Sequence, residues 1–158
     1  EDGTWCYWDE TEPDNFIDGF HTAFVIGNLH SIYVLTGRQD LLDAAITGYG
    51  AYSDRFFRPD GSWKHYHEYR VRTGIRYDIR SQAEGIHCSA LLSGHVPGAG
   101  DIAMRTAEWT IKNMRDPRGY FYFRAYGPVL VKMPYMRWAQ GPMFNALTCL
   151  IEKENASP

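Results

Sequence analysis

The first eighteen residues contain seven acidic side chains and no basic one, and nowhere does the chain run eighteen apolar residues together. The missing apolar run excludes a membrane-spanning helix. Excess positive charge is absent as well: the formal net charge is −3, which argues against a nucleic-acid or membrane-surface partner. Cysteine is scarce, and Cys6, Cys88 and Cys149 lack metal-type spacing. Cys88 and Cys149 sit in apolar helical contexts and read as buried reduced thiols, which points to a reducing, cytoplasmic setting. No Walker loop, nucleophile elbow or GxGxxG motif occurs, so nucleotide hydrolysis, serine-hydrolase chemistry and dinucleotide redox find no support, and no cofactor is expected. No signal-peptide pattern opens the residues given.

What the chain does have is a repeat. Asp2-Gly3-Thr4-Trp5 returns as Asp60-Gly61-Ser62-Trp63 and, weakened, as Arg118-Gly119-Tyr120-Phe121, with Trp5, Trp63 and Phe121 spaced 58 residues apart. A fixed period of this length signals a repeat architecture. It divides the chain into repeats of about 1–57, 58–115 and 116–158 within one domain.

Apolar spacing predicts helices over 19–36, 38–56, 78–95, 99–115 and 137–153, with Phe20, Phe24, Leu29, Ile32 and Leu35 as the buried stripe of the first. Ile102, Ala103, Ala107, Ile111 and Met114 form that of the fourth. Residues 57–77 read as a long loop or hairpin after the turn signal Pro59-Asp60-Gly61. Alternation within 116–136 predicts a two-stranded excursion turning near Gly127-Pro128. Short links within each helix pair and links of about twenty residues between pairs make antiparallel hairpins with the long loops gathered at one end. Loops of that length in a compact domain are usually functional. Within the helices, Gln82-Ala83-Glu84-Gly85 aligns with Trp138-Ala139-Gln140-Gly141, 56 residues on. The expected fold is all-α, helical hairpin repeats with partly β-hairpin loops on one face. About two and a half repeats leave open ends: either the chain is a piece of a larger ring of repeats, or another copy of it covers them.

Ile17-Asp18-Gly19-Phe20-His21-Thr22-Ala23-Phe24, Tyr77-Asp78-Ile79-Arg80-Ser81-Gln82-Ala83 and Met133-Pro134-Tyr135-Met136-Arg137-Trp138-Ala139-Gln140 resemble motifs of α/α-toroid proteins from prokaryotic polysaccharide-related gene contexts. Gly19 stands where that resemblance would place Asn. More distantly the chain is similar to six-hairpin glycosidases, polysaccharide lyases and sugar epimerases. The resemblance implies a partial (α/α) toroid of about five helices, the C-terminal portion of such a protein. It also implies a carbohydrate ligand in a cavity lined by the long loops and the N-terminal ends of the inner helices.

Three clusters carry candidate chemistry. Asp18 and His21, at i and i+3, share a face in the first turn of a helix, where a carboxylate can orient an imidazole base; Asp18 equally suits an N-cap. Asp78 is likewise an N-cap or a catalytic carboxylate. Glu84 is either a proton donor paired with it or the partner of Arg80 in an ion pair. His87 reads as a core histidine. Tyr135, Arg137, Trp138 and Gln140 suit ligand binding, with Arg holding a carboxylate and Trp stacking on a sugar, although Trp138 equally suits a hairpin plug. Trp5 and Trp63 would stack on sugar rings. His65 and His67 share a strand face, but no third metal ligand is evident and Glu68 points away, so these residues read as a polar rim with Trp63, Tyr66 and Tyr69. Eleven of the sixteen Lys and Arg lie in 58–80 and 115–137, which suits an anionic sugar. The expected activity is acid–base chemistry (glycoside hydrolysis, β-elimination or epimerisation) on an acidic poly- or oligosaccharide, with Arg80 and Arg137 binding the anion; a non-catalytic glycan- or protein-binding module is the alternative.

Overall fold

The computed structural model describes residues 2–9, 11–12, 15–67 and 74–156; Glu68 and Tyr69 lie outside them. Five helices are formed: α1 (Gly19–Thr36), α2 (Gln39–Phe56), α3 (Ile79–Leu92), α4 (Ala99–Met114) and α5 (Gly141–Ala156), the last entered through a π-helical turn at Met136–Gln140. Local chemistry sets their ends. The Asp18 carboxylate accepts from the His21 N–H and starts α1, whereas Gly37, at φ 70°, closes it in the left-handed conformation that glycine adopts without cost. Asp78 caps α3, its carboxylate accepting from the Arg80 N–H two residues on, where Asp18 accepts from the third. α5 continues to Ala156, so Asn155 belongs to the helix rather than to a tail.

α3 is the centre of the molecule. It packs between α1 and α5 in one row, and α2 and α4 back that row as the return arms of the hairpins. One core cluster lies among α1, α2 and α3 around Ile26, Tyr49, Tyr52, Phe56, Trp63 and Leu92. The other joins α3, α4 and α5 around Ile79, Ile86, Met114, Phe121, Met143 and Leu150.

The predicted stripe of α1 is wrong in detail. Phe24, Ile32 and Leu35 are exposed, and Thr22, Ala23, Ile26 and His30 are the buried residues. α1 is apolar on nearly every side, so spacing alone cannot select its inward face. Packing selects it through small residues: a Cβ on Gly19 would lie 2.9 Å from the Lys64 carbonyl oxygen, which accounts for glycine in that motif. Ile111 of α4 is likewise exposed, and Ala103, Thr106, Ala107, Thr110 and Met114 are buried.

A small antiparallel sheet lies across the N-terminal end of α3. The expected hairpin is present as β2 (Arg124–Tyr126) and β3 (Val129–Val131), and β1 (Ile75–Asp78) adds a third strand that the spacing did not predict. Register places Tyr77 opposite Ala125 and Asp78 opposite Arg124.

Backbone bonding repeats with the same period of 58. Lys64 N–H donates to Phe56 O and Tyr122 N–H to Met114 O, both at 2.8 Å. Trp63 and Phe121 sit at matching isolated bridges, to Phe57 and Arg115. The Gln82 carboxamide accepts from Trp63 N–H and donates to Trp63 O, each at 2.9 Å. Gln140 does the same for Phe121, at 2.9 and 2.8 Å. These bonds pair Gln82 with Gln140, so the 56-residue alignment of the helices is corrected to 58. The π-helical turn, where Tyr135 O accepts from both Ala139 and Gln140, blurred that register in the sequence.

Candidate functional site

The N-terminal ends of α1, α3 and α5 carry the candidate chemistry side by side. At α1, Asp18 is 4% exposed and divides its carboxylate between two tasks. Oδ1 accepts from the His21 N–H at 2.7 Å, and Oδ2 meets His21 Nδ1 at 2.6 Å. Asp18 is therefore an N-cap and at the same time holds the His21 imidazole. The imidazole is held by a buried carboxylate while its side chain stays 49% exposed. Tyr7 packs edge-on to His21 at 4.7 Å and stacks on Phe16 at 4.7 Å, and Phe20 closes the other side of the imidazole. Tyr7, Phe16 and Phe20 were not picked out from the sequence.

At α3 the expectation of a catalytic Asp78 is corrected. Asp78 is fully buried and accepts from the Arg80 N–H at 2.9 Å, from Arg80 Nε and Nη2 at 3.2 Å, and from Arg124 Nε. Burial alone would push its carboxyl up, but the Arg80 hydrogen bonds and the charges of His65, Arg80 and Arg124 outweigh it and hold Asp78 below the usual carboxylate range. Buried and paired in this way, Asp78 is engaged as the cap of α3 and the anchor of two arginines. Arg124, opposite Asp78 in the sheet register, was missed because its partner is 46 residues away. His65 is buried beside this group, with Nδ1 2.9 Å from Ser81 Oγ, and burial pushes its imidazole down against the pull of Asp78 and Asp18. It is an interior support and not a rim residue.

The expected Arg80–Glu84 ion pair is also corrected, because Asp78 takes the Arg80 guanidinium, which additionally lies over the Phe20 ring at 5.2 Å. Glu84 is left half-buried with no cationic partner among the described residues, and desolvation pushes its carboxyl up to about 7. Along α3 only Arg80, Glu84, His87 and Leu91 keep partial exposure. They are spaced as one stripe, so Glu84 stands directly below Arg80 on the only open face of the helix. His87 belongs to this stripe and not to the core.

At α5, Trp138 is 49% exposed and stacks on Phe123 at 5.9 Å, while Tyr135 packs against both rings. Arg124 lies over Phe123 at 4.5 Å, and Arg137 is exposed on the same turn. Gln140 leaves the candidate set, since its carboxamide is committed to the Phe121 backbone. Trp63 leaves it as well. It is 0% exposed, stacks on Tyr52 at 4.2 Å and donates from Nε1 to Thr106 Oγ1 at 2.9 Å. Its indole fills the space over Gly85, where a Cβ would stand 2.4 Å from Nε1. Trp5 is half-buried and occupies the equivalent kind of space over Gly48. The tryptophans that advertise the repeat are wedges between helices.

His21, Phe20, Arg80, Asp78, Arg124, Phe123 and Trp138 thus form an unbroken ladder of contacts across three helix ends. Among the described residues, no three His, Cys, Asp or Glu side chains stand together as a metal site, and no helix is long and apolar enough to cross a membrane.

No family model matches the chain, and no curated protein matches it in sequence. Solved structures do match its shape. A GH76 α-mannanase of Bacteroides thetaiotaomicron superposes with a TM-score of 0.76 at 12% identity, covering 88% of this chain and 40% of its own. A cellobiose 2-epimerase from Bacillus thermoamylovorans gives 0.71 at 11% identity, covering 89% and 40%. The Lin0763 protein of Listeria innocua gives 0.70 at 19% identity, covering 89% and 40%. The fold is that of an α/α toroid. This chain spans about 40% of the length of the toroids it matches, and its five helices form part of such a ring. α1, α3 and α5 are its inner helices, and α2 and α4 are outer ones. At these identities the likeness establishes the fold, and the neighbours show that this fold houses both a glycosidase and an epimerase.

Proposed function

We propose that this chain is the ligand-facing part of a carbohydrate-active toroid that performs acid–base chemistry on an acidic oligo- or polysaccharide. The observation that carries the reading is the ladder across the inner-helix ends, which sets an oriented imidazole, two guanidiniums and an exposed aromatic platform in one line. Asp18 engages Nδ1 of His21, leaving Nε2 to take a proton from substrate. Glu84, with its carboxyl raised to about 7, is partly protonated at neutral pH and serves as the donor. Arg80 and Arg124 share one buried carboxylate, so the pair retains positive charge for the carboxylate of a uronate, with Arg137 beside them. Trp138, Tyr135 and Tyr7 offer faces to the sugar rings. The three unpaired thiols favour a reducing, cytoplasmic setting.

The test is turnover of uronate-containing oligosaccharides by the product of the complete reading frame, as wild type and as His21→Ala and Glu84→Gln. General acid–base groups contribute about 10²- to 10⁴-fold, so each variant is expected to lose at least about a hundredfold in kcat with KM little changed. Undiminished turnover in both would sink the assignment. Oligosaccharide binding without turnover by the wild type would replace it with a binding module.

A further inference from the structure

The second copy of the opening motif has a use that the ladder does not absorb. Asp60 borders a cavity of about 390 Å³ between the sheet and the outer helix α4, together with Arg76, Tyr77, Trp109, Asn113 and Leu130. That volume falls in the range of small-molecule sites, about 300–1,000 Å³. Successive side chains of a strand point to opposite faces. Tyr77 therefore faces this cavity while its neighbour Asp78 faces the ladder, and the paired positions Ala125 and Arg124 divide in the same way; the register irregularity between Ile75 and Tyr77 interrupts the alternation, and Arg76 borders the cavity too. The two sites lie back to back across one sheet.

We propose that this cavity is a second carbohydrate site that takes a neutral sugar ring. Tyr77 and Trp109 meet at 4.6 Å with planes tilted by 53°, giving a bent aromatic wall. Such a wall suits the apolar face of a pyranose. Around it stand an acceptor, Asp60, a donor, Arg76, and the carboxamide of Asn113, whose Nδ2 donates to Trp109 O at 2.7 Å and whose oxygen is left as an acceptor; hydroxyl recognition needs that mixture. Asp60 is positioned by Ser62, whose N–H and hydroxyl donate to Oδ1 at 2.9 and 2.6 Å. Gly61, at φ 93°, lets the loop approach closely: a Cβ there would lie 3.5 Å from the Trp109 Cβ and 3.1 Å from the Arg105 carbonyl oxygen. Arg58 and Arg76 both lie over the Tyr77 ring, at 5.2 and 5.3 Å, and stiffen the wall. Among the lining residues the charges of Asp60 and Arg76 offset one another, so the cavity differs from the ladder in offering no unbalanced guanidinium to an anion. The inference stands whether or not the ladder is catalytic.

The experiment is a ¹⁵N chemical-shift titration of the chain with mannotriose, cellotriose and trigalacturonate, the Trp109 indole signal being identified by its loss in Trp109→Phe. One of the neutral trisaccharides is expected to shift the Trp109 indole and Asn113 signals at millimolar concentration. Loss of one hydrogen-bond partner in Asn113→Ala or Arg76→Ala is expected to weaken that binding about threefold to tenfold, and His21→Ala is expected to leave it unchanged. The proposal is overturned by an unmoved Trp109 signal at about 20 mM of both neutral probes. It is equally overturned by a response to trigalacturonate alone, or by binding of undiminished strength in both cavity variants.

Discussion

Asp18 and Asp78 begin neighbouring inner helices as the same residue in the same capping position, and what surrounds each carboxylate separates their tasks. Asp18 spends one oxygen on the cap and the other on His21, whose ring reaches solvent. Asp78 is sealed, with two guanidiniums taking the oxygen that Asp18 gives to the imidazole. A cap is a local property, set by a residue and the three that follow. Its second oxygen is free for whatever tertiary structure brings, and here the β-sheet brings Arg124.

The largest expected effect breaks the sealed member. Asp78→Ala removes a cap and strands two half-buried guanidiniums, so urea unfolding should show a loss of about 3–5 kcal/mol. The next compares Asp78 with the carboxyl one and a half turns further on. For Glu84 the folded carboxyl, raised to about 7, lies above the unfolded value of 4.5. The folded state then binds more protons than the unfolded state between these limits, and stability falls as pH rises through the window. Asp78 has the opposite sign: its contribution is complete above the unfolded value of 3.8 and is lost as pH falls through its lower folded value. Glu84→Gln should therefore flatten the decline between about pH 4.5 and 7, gaining at most about 3 kcal/mol over wild type at pH 8 and little at pH 5 in urea titrations.

Smaller effects sharpen the exposed member. Asp18→Ala should cost about 1–2 kcal/mol in the same assay through the lost cap. Asp18→Asn separates the two oxygens' tasks, since Asn caps as well as Asp does. Its stability should stay within about 1 kcal/mol of wild type, with turnover falling in step with His21→Ala. His21→Ala should cost no more than about 1 kcal/mol: the ring is half exposed, but its loss leaves Asp18 Oδ2 without its partner.

These contrasts also explain what the sequence made legible. Asp18, Gly37 and Asp78 mark helix ends through local chemistry, and the helices lie where those residues and the apolar spacing put them. The 58-residue period was legible because Trp63 and Phe121 occupy equivalent interior positions. The same conspicuousness misled about the work of Trp63: an aromatic residue beside a turn reads as a sugar platform until burial reveals a wedge. Gln140 misled in the same way, as a polar side chain whose partner is backbone, a partner no residue pattern announces. β1 was hidden because a four-residue strand acquires its meaning from a partner nearly fifty residues away, and Arg124 was hidden with it. Glu84 was singled out by its place on the helix, but its isolation follows from Arg80 turning back to Asp78, a choice between two neighbours that spacing leaves open.

The paired glutamine clamps bear on how such a chain assembles. Each joins an aromatic residue to a carboxamide nineteen positions later, and closing so short a loop costs little entropy. A repeat can set its own register before any neighbour docks, so folding can begin in either clamp and spread outward through the shared inner helix. Native-state hydrogen exchange would register this as two blocks of amides, centred on Trp63 and Phe121, that open separately. A chain built this way can be lengthened by whole units without disturbing a bond already made.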